Sequence, residues 1–407
     1  MRQLLVLFAA VLLSCSKGQP PADTDMGPIP RDSAGFSLAL DQTTGVSMTP
    51  GNEITLYDNG QVFDAMKEAI SRATQSIHVA LFIWKPGEPG DSIADAILER
   101  TKHGIACKIV VDPRGSKHFK EEVFPRLTAG GCDVHFFRPV GKEGKVLGRN
   151  HRKLLVLNGR LAFTGGFGFD KTWLGNGREK AQWRDQALSV RGPAVEEIQQ
   201  TFAENWLETG GQLLERKEFP KLPQPGETRA MFISSKEEAG GTDAYWMTRL
   251  MVTAATKRLW IANAYFAPND SMKNLILDKV KEGVDVRILV PGPIHDVPAV
   301  RATTRAMYKE LLAGGVKIWE YQPSMMHAKT MIVDDRFSVV GSINLDPLSL
   351  NKLDEGSVVM EDPKLVSELE RRFLDDLDVS QQITEQNRPR PSLVGRAFKK
   401  LRGTLDR

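Results

Sequence analysis

Long hydrophobic runs are almost absent from this 407-residue chain, and the run at 4–13 is too short to span a bilayer as a helix. Cysteine is scarce, three residues in all, which excludes a small disulfide-framed scaffold. An excess of one charge is missing too: 54 Lys and Arg against 51 Asp and Glu leave a formal charge of +3. The chain is therefore no polyelectrolyte for nucleic acid, and no basic stripe interleaved with aromatics makes up the deficit. Any basic site must be local.

What is present is a repeat. His151-Arg152-Lys153 and His327-Ala328-Lys329 each open a run of β-branched and aliphatic residues, 154–157 and 330–333. His and Lys at i and i+2 then project from one sheet face, an imidazole beside an ammonium. Fourteen residues after each His stand the small-residue turns Gly165-Gly166 and Gly341-Ser342, where backbone can approach a bound anion closely. Upstream, 77–84 parallels 259–266, 104–111 parallels 283–290, and Ala129-Gly130-Gly131 parallels Ala313-Gly314-Gly315. Apolar spacings of three and four predict helices over 63–73, 93–101, 275–281 and 301–312 between these strands. Strands alternating with helices predict an α/β sheet in each half.

The ends read differently. Arg2, the apolar run and Leu12-Leu13-Ser14-Cys15 resemble a bacterial lipoprotein signal, so 1–15 is expected to be a signal peptide ending in a lipidated Cys15. Residues 16–50, rich in Pro, Asp, Gly, Ser and Thr, are expected to be a flexible tether. The first half then occupies 51–225 and the second 226–380, divided by the loop signal Leu222-Pro223-Gln224-Pro225-Gly226. A basic tail at 381–407 suits solvent or an anionic membrane surface. Cys107 and Cys132 lie at apolar strands, as buried thiols or a disulfide that spacing does not decide.

Cleaving a phosphodiester requires neutralised nonbridging oxygens, a nucleophile in line and an acid for the departing alkoxide. Two His-x-Lys strands meeting across a pseudo-twofold axis supply all three. Lys153 and Lys329 hold the phosphate charge, one imidazole attacks phosphorus to give a phosphohistidine, and the other protonates the leaving oxygen. The scheme requires no metal and no cofactor.

At this point the chain resembles the phospholipase D superfamily, whose signature is His-x-Lys, four residues, Asp, six residues, Gly-Gly or Gly-Ser, one residue, Asn. The second copy matches at His327, Lys329, Asp334, Gly341, Ser342 and Asn344. The first holds His151, Lys153, Gly165 and Gly166 but has Asn158 for Asp and Gly168 for Asn. The resemblance implies two pseudo-symmetric α/β halves, each a mixed sheet flanked by helices, with the active site between them. It implies a catalytic set of His151, Lys153, His327, Lys329, Asp334 and Asn344, although the signature Asp is generally structural. It also implies that Asp185 and Glu355 orient the imidazoles and that Gly165, Gly166, Gly341 and Ser342 form phosphate turns.

Within the superfamily, segments such as Ala264-Tyr265-Phe266-Ala267-Pro268 and 327–347 look most like bacterial cardiolipin synthases. That likeness leads to the expectation of a phosphatidyltransferase acting on phosphatidylglycerol, with His151 as nucleophile and His327 as acid. A hydrolytic phospholipase D, a nuclease and an inactive membrane-binding scaffold are the alternatives. The expected partner is an anionic phospholipid membrane, with no nucleic acid, and the expected location is the bacterial cell envelope, as an outward-facing or periplasmic lipoprotein.

Overall fold

The computed structural model of the protein describes residues 29–30, 32–139, 148–238 and 241–390. The first half contributes β1 (Thr49–Asp58), β2 (Ser76–Leu81), β3 (Ala106–Val111), β4 (Asp133–Phe136), β5 (Leu154–Leu157), β6 (Leu161–Gly165), β7 (Trp183–Arg184) and β8 (Gln186–Arg191). The second contributes β9 (Thr228–Ser235), β10 (Arg258–Asn263), β11 (Asp285–Pro291), β12 (Lys317–Tyr321), β13 (Met325–Met326), β14 (Lys329–Val333), β15 (Phe337–Gly341), β16 (Glu355–Glu361) and β17 (Ser380–Ile383). All but β7 and β13 join one 15-stranded sheet in the order β17-β12-β11-β10-β14-β15-β16-β9-β1-β8-β6-β5-β2-β3-β4. Read outward from the antiparallel β1–β9 seam, the two halves repeat the same order, so the expected pair of sheets is fused into one. In each half three parallel strands are followed by antiparallel ones, which makes the sheet mixed.

Helices cover both faces, which is why central strands such as β2 and β14 are buried at every position. On one face Val195–Glu208 and Pro363–Leu377 seal a cluster that runs across both halves, including Leu56, Val156, Phe232 and Ile332. On the other face Gln61–Ser71 and Gly90–Thr101 cover the first half, and Asp243–Ala254 and Asp270–Lys281 the second. No helix among the described residues is long and apolar enough to cross a membrane. The start of β5 lies beside the end of β2, and the start of β14 beside the end of β10. Both His-x-Lys strings therefore fall at the edge where the parallel strands end, the usual ligand side of an α/β sheet.

The expected tether is corrected by the structure. Residues Ser33–Thr44 form a helix, N-capped by Asp32 and ended by Gly45 in the left-handed conformation, and β1 already begins at Thr49. Phe36 and Leu40, one turn apart, are buried in the core of the second half, with Phe36 against Phe337 at 4.6 Å between ring centroids. The tail boundary moves as well, because β17 pairs with β12 and belongs to the sheet. Cys107 and Cys132 form a disulfide between β3 and the approach to β4. The signal peptide with Cys15, the first part of the expected tether and the tail from 391 lie outside the described residues.

Candidate active site

The two His-x-Lys strings come together at the seam, and each is pinned by the opposite half. The His151 N–H donates to Asp354 O at 2.8 Å, and the His327 N–H to Arg184 O at 2.6 Å. Both acceptors are the residues just before the orienting carboxylates, so the carboxylates are exchanged. Glu355, in the second half, accepts from His151 Nδ1 at 2.9 Å, while Asp185, in the first half, accepts from His327 Nδ1 at 2.7 Å. With Nδ1 held as donor, each ring turns Nε2 to the chemistry, and in His327 that nitrogen lies 3.1 Å from Lys329 Nζ.

Each carboxylate is itself held. The hydroxyls of Ser342 and Ser349 donate to Glu355. Asp185 accepts from the Trp173 indole N–H at 2.7 Å and from the Gln186 N–H at 2.8 Å. Burial opposes the charge on Asp185, but His327, Lys329 and Trp173 outweigh it and keep this carboxyl below its ordinary range.

The lysines lie in the same desolvated space. Lys153 and Lys329 are 2% and 4% exposed, each donates to the carbonyl of its own histidine, and neither forms an ion pair among the described residues. Lys329 Nζ also sits 3.0 Å from His327 Nδ1. Burial and mutual repulsion bring Lys153 down to about 7, and burial brings Lys329 down to about 8. Burial and the Lys329 charge push His327 down to about 4, and burial lowers His151. Two buried lysines with no ion pair among the described residues and two imidazoles held at Nδ1 form a cradle for an anion. No group of three or more His, Cys, Asp or Glu side chains among the described residues is arranged to hold a metal ion.

Other signature positions are elsewhere or do other work. Asp334 is not at this site. It accepts from the N–H groups of Thr256, Lys257 and Arg258 at the start of β10, a structural role that corrects its inclusion in the catalytic set. Asn158 does the same in the first half, its Oδ1 accepting from Thr74, Gln75 and Ser76 at 2.8–3.2 Å. Only the carbonyl oxygen is needed there, so Asn replaces Asp without loss of the turn.

In the small-residue turns the second amide of each is committed within the protein, which corrects that expectation at Gly166 and Ser342. The Gly166 and Ser342 N–H groups donate to Gln186 O and Gly356 O across the sheet. Their smallness makes room for neighbours: a Cβ on Gly166 would lie 2.2 Å from Asp185 Oδ1, and one on Gly341 2.1 Å from Ser357 Oγ. Asn344 is buried, its N–H bonded to Ser349 Oγ, and its side-chain oxygen has no partner among the described residues. A phosphate oxygen is itself an acceptor, so the group of Asn344 that suits a bound phosphate is its amide Nδ2, not this oxygen.

Gly168 has a physical counterpart in Trp173. A Cβ at 168 would lie 2.9 Å from Ile83 Cβ and 2.9 Å from the Trp173 ring. The indole fills the space a larger residue would need, and it packs edge-on to His327 at 5.3 Å while holding Asp185. Restoring the family residue by Gly168→Asn is expected to lower activity at least tenfold and to cost about 1–3 kcal/mol by overpacking. Turnover together with thermal unfolding checks this, and a gain in activity would show that Trp173 is not the replacement.

Sequence reasoning assigned no role to several residues the structure brings in. Arg152, at the variable position of the first string, is 1% exposed and reaches Asn205, Ser234, Ser235 O and Glu355 O, tying the halves together behind His151. A long cation predicted on the strand face away from the site was the available signal. Trp173, Ser349, Tyr265 and Asp296 meet the site only through the tertiary fold and had no local signal.

The family model described as "Cardiolipin synthase, PLD-like domain" matches residues 66–206 and 249–377. The chain is 32% identical over 323 residues to cardiolipin synthase B of Salmonella typhimurium, covering 77% of each chain. It is 30% identical to cardiolipin synthase 2 of Bacillus anthracis over 81% of its own length and spans 65% of that relative. Among solved structures, phosphatidylserine synthase of Haemophilus influenzae Rd KW20 superposes with a TM-score of 0.65 at 16% identity, over 91% of this chain and 98% of that one. Polyphosphate kinase of Porphyromonas gingivalis gives a TM-score of 0.55 at 13% identity, over 87% of this chain and 53% of the other. These two likenesses concern the fold.

Proposed function

Given that this chain belongs to the phospholipase D superfamily, in the family described as cardiolipin synthase, PLD-like domain, we propose that it is a phosphatidyltransferase acting on phosphatidylglycerol. The observation that carries the reading is the pair of buried lysines, without an ion pair among the described residues, beside two imidazoles whose Nδ1 atoms are held by exchanged carboxylates.

A phosphodiester entering the cradle brings the missing negative charge to Lys153 and Lys329. His151 Nε2 attacks phosphorus, the P–O bond to the glycerol headgroup breaks, and His327 gives its Nε2 proton to the departing oxygen. Free of substrate, His327 sits at about 4 and is neutral, held there by burial and by the neighbouring ammonium. The arriving phosphate offsets that ammonium, so His327 gains its proton as substrate binds. A hydroxyl of a second phosphatidylglycerol then gives its proton to His327 and attacks the phosphatidyl-histidine. Cardiolipin leaves and His151 is restored. Asn344 steadies the phosphate oxygens, with no asparagine partner from the first half.

The proposal extends to location. A disulfide between Cys107 and Cys132 supports an oxidising compartment, in keeping with a lipoprotein of the bacterial envelope anchored through Cys15.

Phosphatidylglycerol vesicles incubated with the protein test the reading, with lipid products followed by mass spectrometry. Cardiolipin and free glycerol are expected. Phosphatidic acid alone would make the protein a hydrolase, and untouched phosphatidylglycerol would sink the reading.

A further inference from the structure

The pseudo-twofold relates the backbones of the two halves, but the loops that flank the two histidines are chemically opposite. After β3 the chain runs Asp112-Pro113-Arg114, with Asp112 paired to Arg149 at 2.8 Å, so guanidinium groups stand on the His151 side. After β11 the equivalent loop carries His295 and Asp296. The Tyr265 hydroxyl, from the turn after β10, donates to Asp296 Oδ2 at 2.5 Å, and the Tyr265 ring stacks on His295 at 5.8 Å.

This cluster faces the catalytic groups. The Tyr265 ring stands at 89° to His327 with centroids 6.4 Å apart, and Lys329 Nζ lies 6.0 Å from its centre. On another side of the same imidazole lies Trp183, with centroids 4.7 Å apart. The Asp296 side chain keeps 27% of its surface exposed, so it is reachable from solvent, and its charge is felt at both His327 and Lys329.

We infer that Tyr265, Asp296 and Trp183 form the subsite for the headgroup alcohol, a small polyol such as glycerol, as it leaves and as an acceptor enters. The inference rests on the transferase reading above, in which His327 handles the alcohol proton. An alcohol bound beside His327 Nε2 lies between two aromatic faces suited to its C–H groups. Its further hydroxyls are donors that need acceptors. Asp296 Oδ1, which also lies 3.3 Å from His295 Nδ1, and the Tyr265 oxygen supply them, whereas on the His151 side the Asp112 carboxylate is taken up by Arg149 and the Asn150 N–H. Hydrogen bonds from a site built to accept hydroxyls discriminate strongly against an alcohol that lacks them.

The test is a competition between acceptors. Phosphatidylglycerol vesicles are offered deuterated glycerol and ethanol together, and the ratio of labelled phosphatidylglycerol to phosphatidylethanol is measured for wild type, Asp296→Asn and Tyr265→Phe. A ratio is independent of how much enzyme is folded or how fast it turns over. Wild type is expected to favour glycerol. Asp296→Asn should reduce that preference roughly tenfold and Tyr265→Phe by roughly threefold, the scale of one charged and one neutral hydrogen bond. Transfer by wild type without preference, or a preference unchanged in both variants, would overturn the subsite while leaving the transferase intact. Cardiolipin formed with transfer to neither alcohol would overturn the subsite alone, and neither labelled product nor cardiolipin would overturn the transferase reading and the subsite with it.

Discussion

Alanine at His151 should abolish turnover of phosphatidylglycerol and prevent any phosphorus from becoming bound to protein. Alanine at His327 should slow turnover by at least about a thousandfold yet leave a phosphatidyl group trapped on His151. The asymmetry follows from the proposed order of events, in which His151 is the nucleophile and His327 the acid. His151 forms the new bond, so its loss removes the covalent route. His327 only moves protons, so a donor whose headgroup is an acidic phenol should still transfer to His151 without it. That intermediate then persists, because no imidazole remains to deprotonate the acceptor. Rapid acid quench with radiolabelled lipid, followed by peptide mapping, reads the outcome. Label on His327 in the His151→Ala protein would reverse the assignment, which pseudosymmetry of the backbone permits. Both rings are only 5–8% exposed, so each substitution leaves an internal void, and thermal unfolding should accompany the assay.

Much of this site is legible in the chain before any folding is considered, because its chemistry depends on short strings. His151 and Lys153, and His327 and Lys329, sit two apart at the mouths of strands, and period-two geometry alone puts each pair on one face. Helix positions were readable for the same reason: the stripe predicted at 301–312 lies inside the observed helix Pro298–Ala313. What could not be read is whatever depends on the two halves meeting. The carboxylates Asp185 and Glu355 are visible as candidates, but their exchange is set by β1 pairing with β9, which brings each one under the other half's imidazole. Trp173 replaces a missing side chain five residues before it in the chain through packing that no spacing rule expresses. The helix Ser33–Thr44 was hidden by its setting of Pro, Asp, Gly and Thr, although Asp32 and Gly45 are ordinary start and stop signals. Asp334 was drawn into the catalytic set because its motif is contiguous with Lys329, whereas four residues along a strand separate the site edge from the opposite edge.

Exchange of the carboxylates leads to a second large effect, with a pattern that depends on which imidazole each one serves. Glu355→Gln and Asp185→Asn are each expected to lower turnover about a thousandfold or more, since an amide in place of a carboxylate permits the wrong tautomer. The serine-protease triad, where the comparable change costs about ten-thousandfold, is the precedent. In Glu355→Gln the Ser342 and Ser349 hydroxyls can reorient, so the amide can donate to His151 Nδ1 and leave the proton on Nε2, where the lone pair is needed. The covalent step then fails whatever the leaving group. In Asp185→Asn the loss falls on His327, because the charge is gone and the amide nitrogen is set against the Trp173 or Gln186 N–H. In the proposed scheme His327 only delivers a proton, and a phospholipid with an acidic phenol headgroup needs little delivery. That substrate should recover most of its first-step rate in Asp185→Asn and almost none in Glu355→Gln. If each carboxylate served the histidine of its own half, the rescue would appear in Glu355→Gln instead. A reversed nucleophile would give that same pattern, and the labelled histidine tells the two apart.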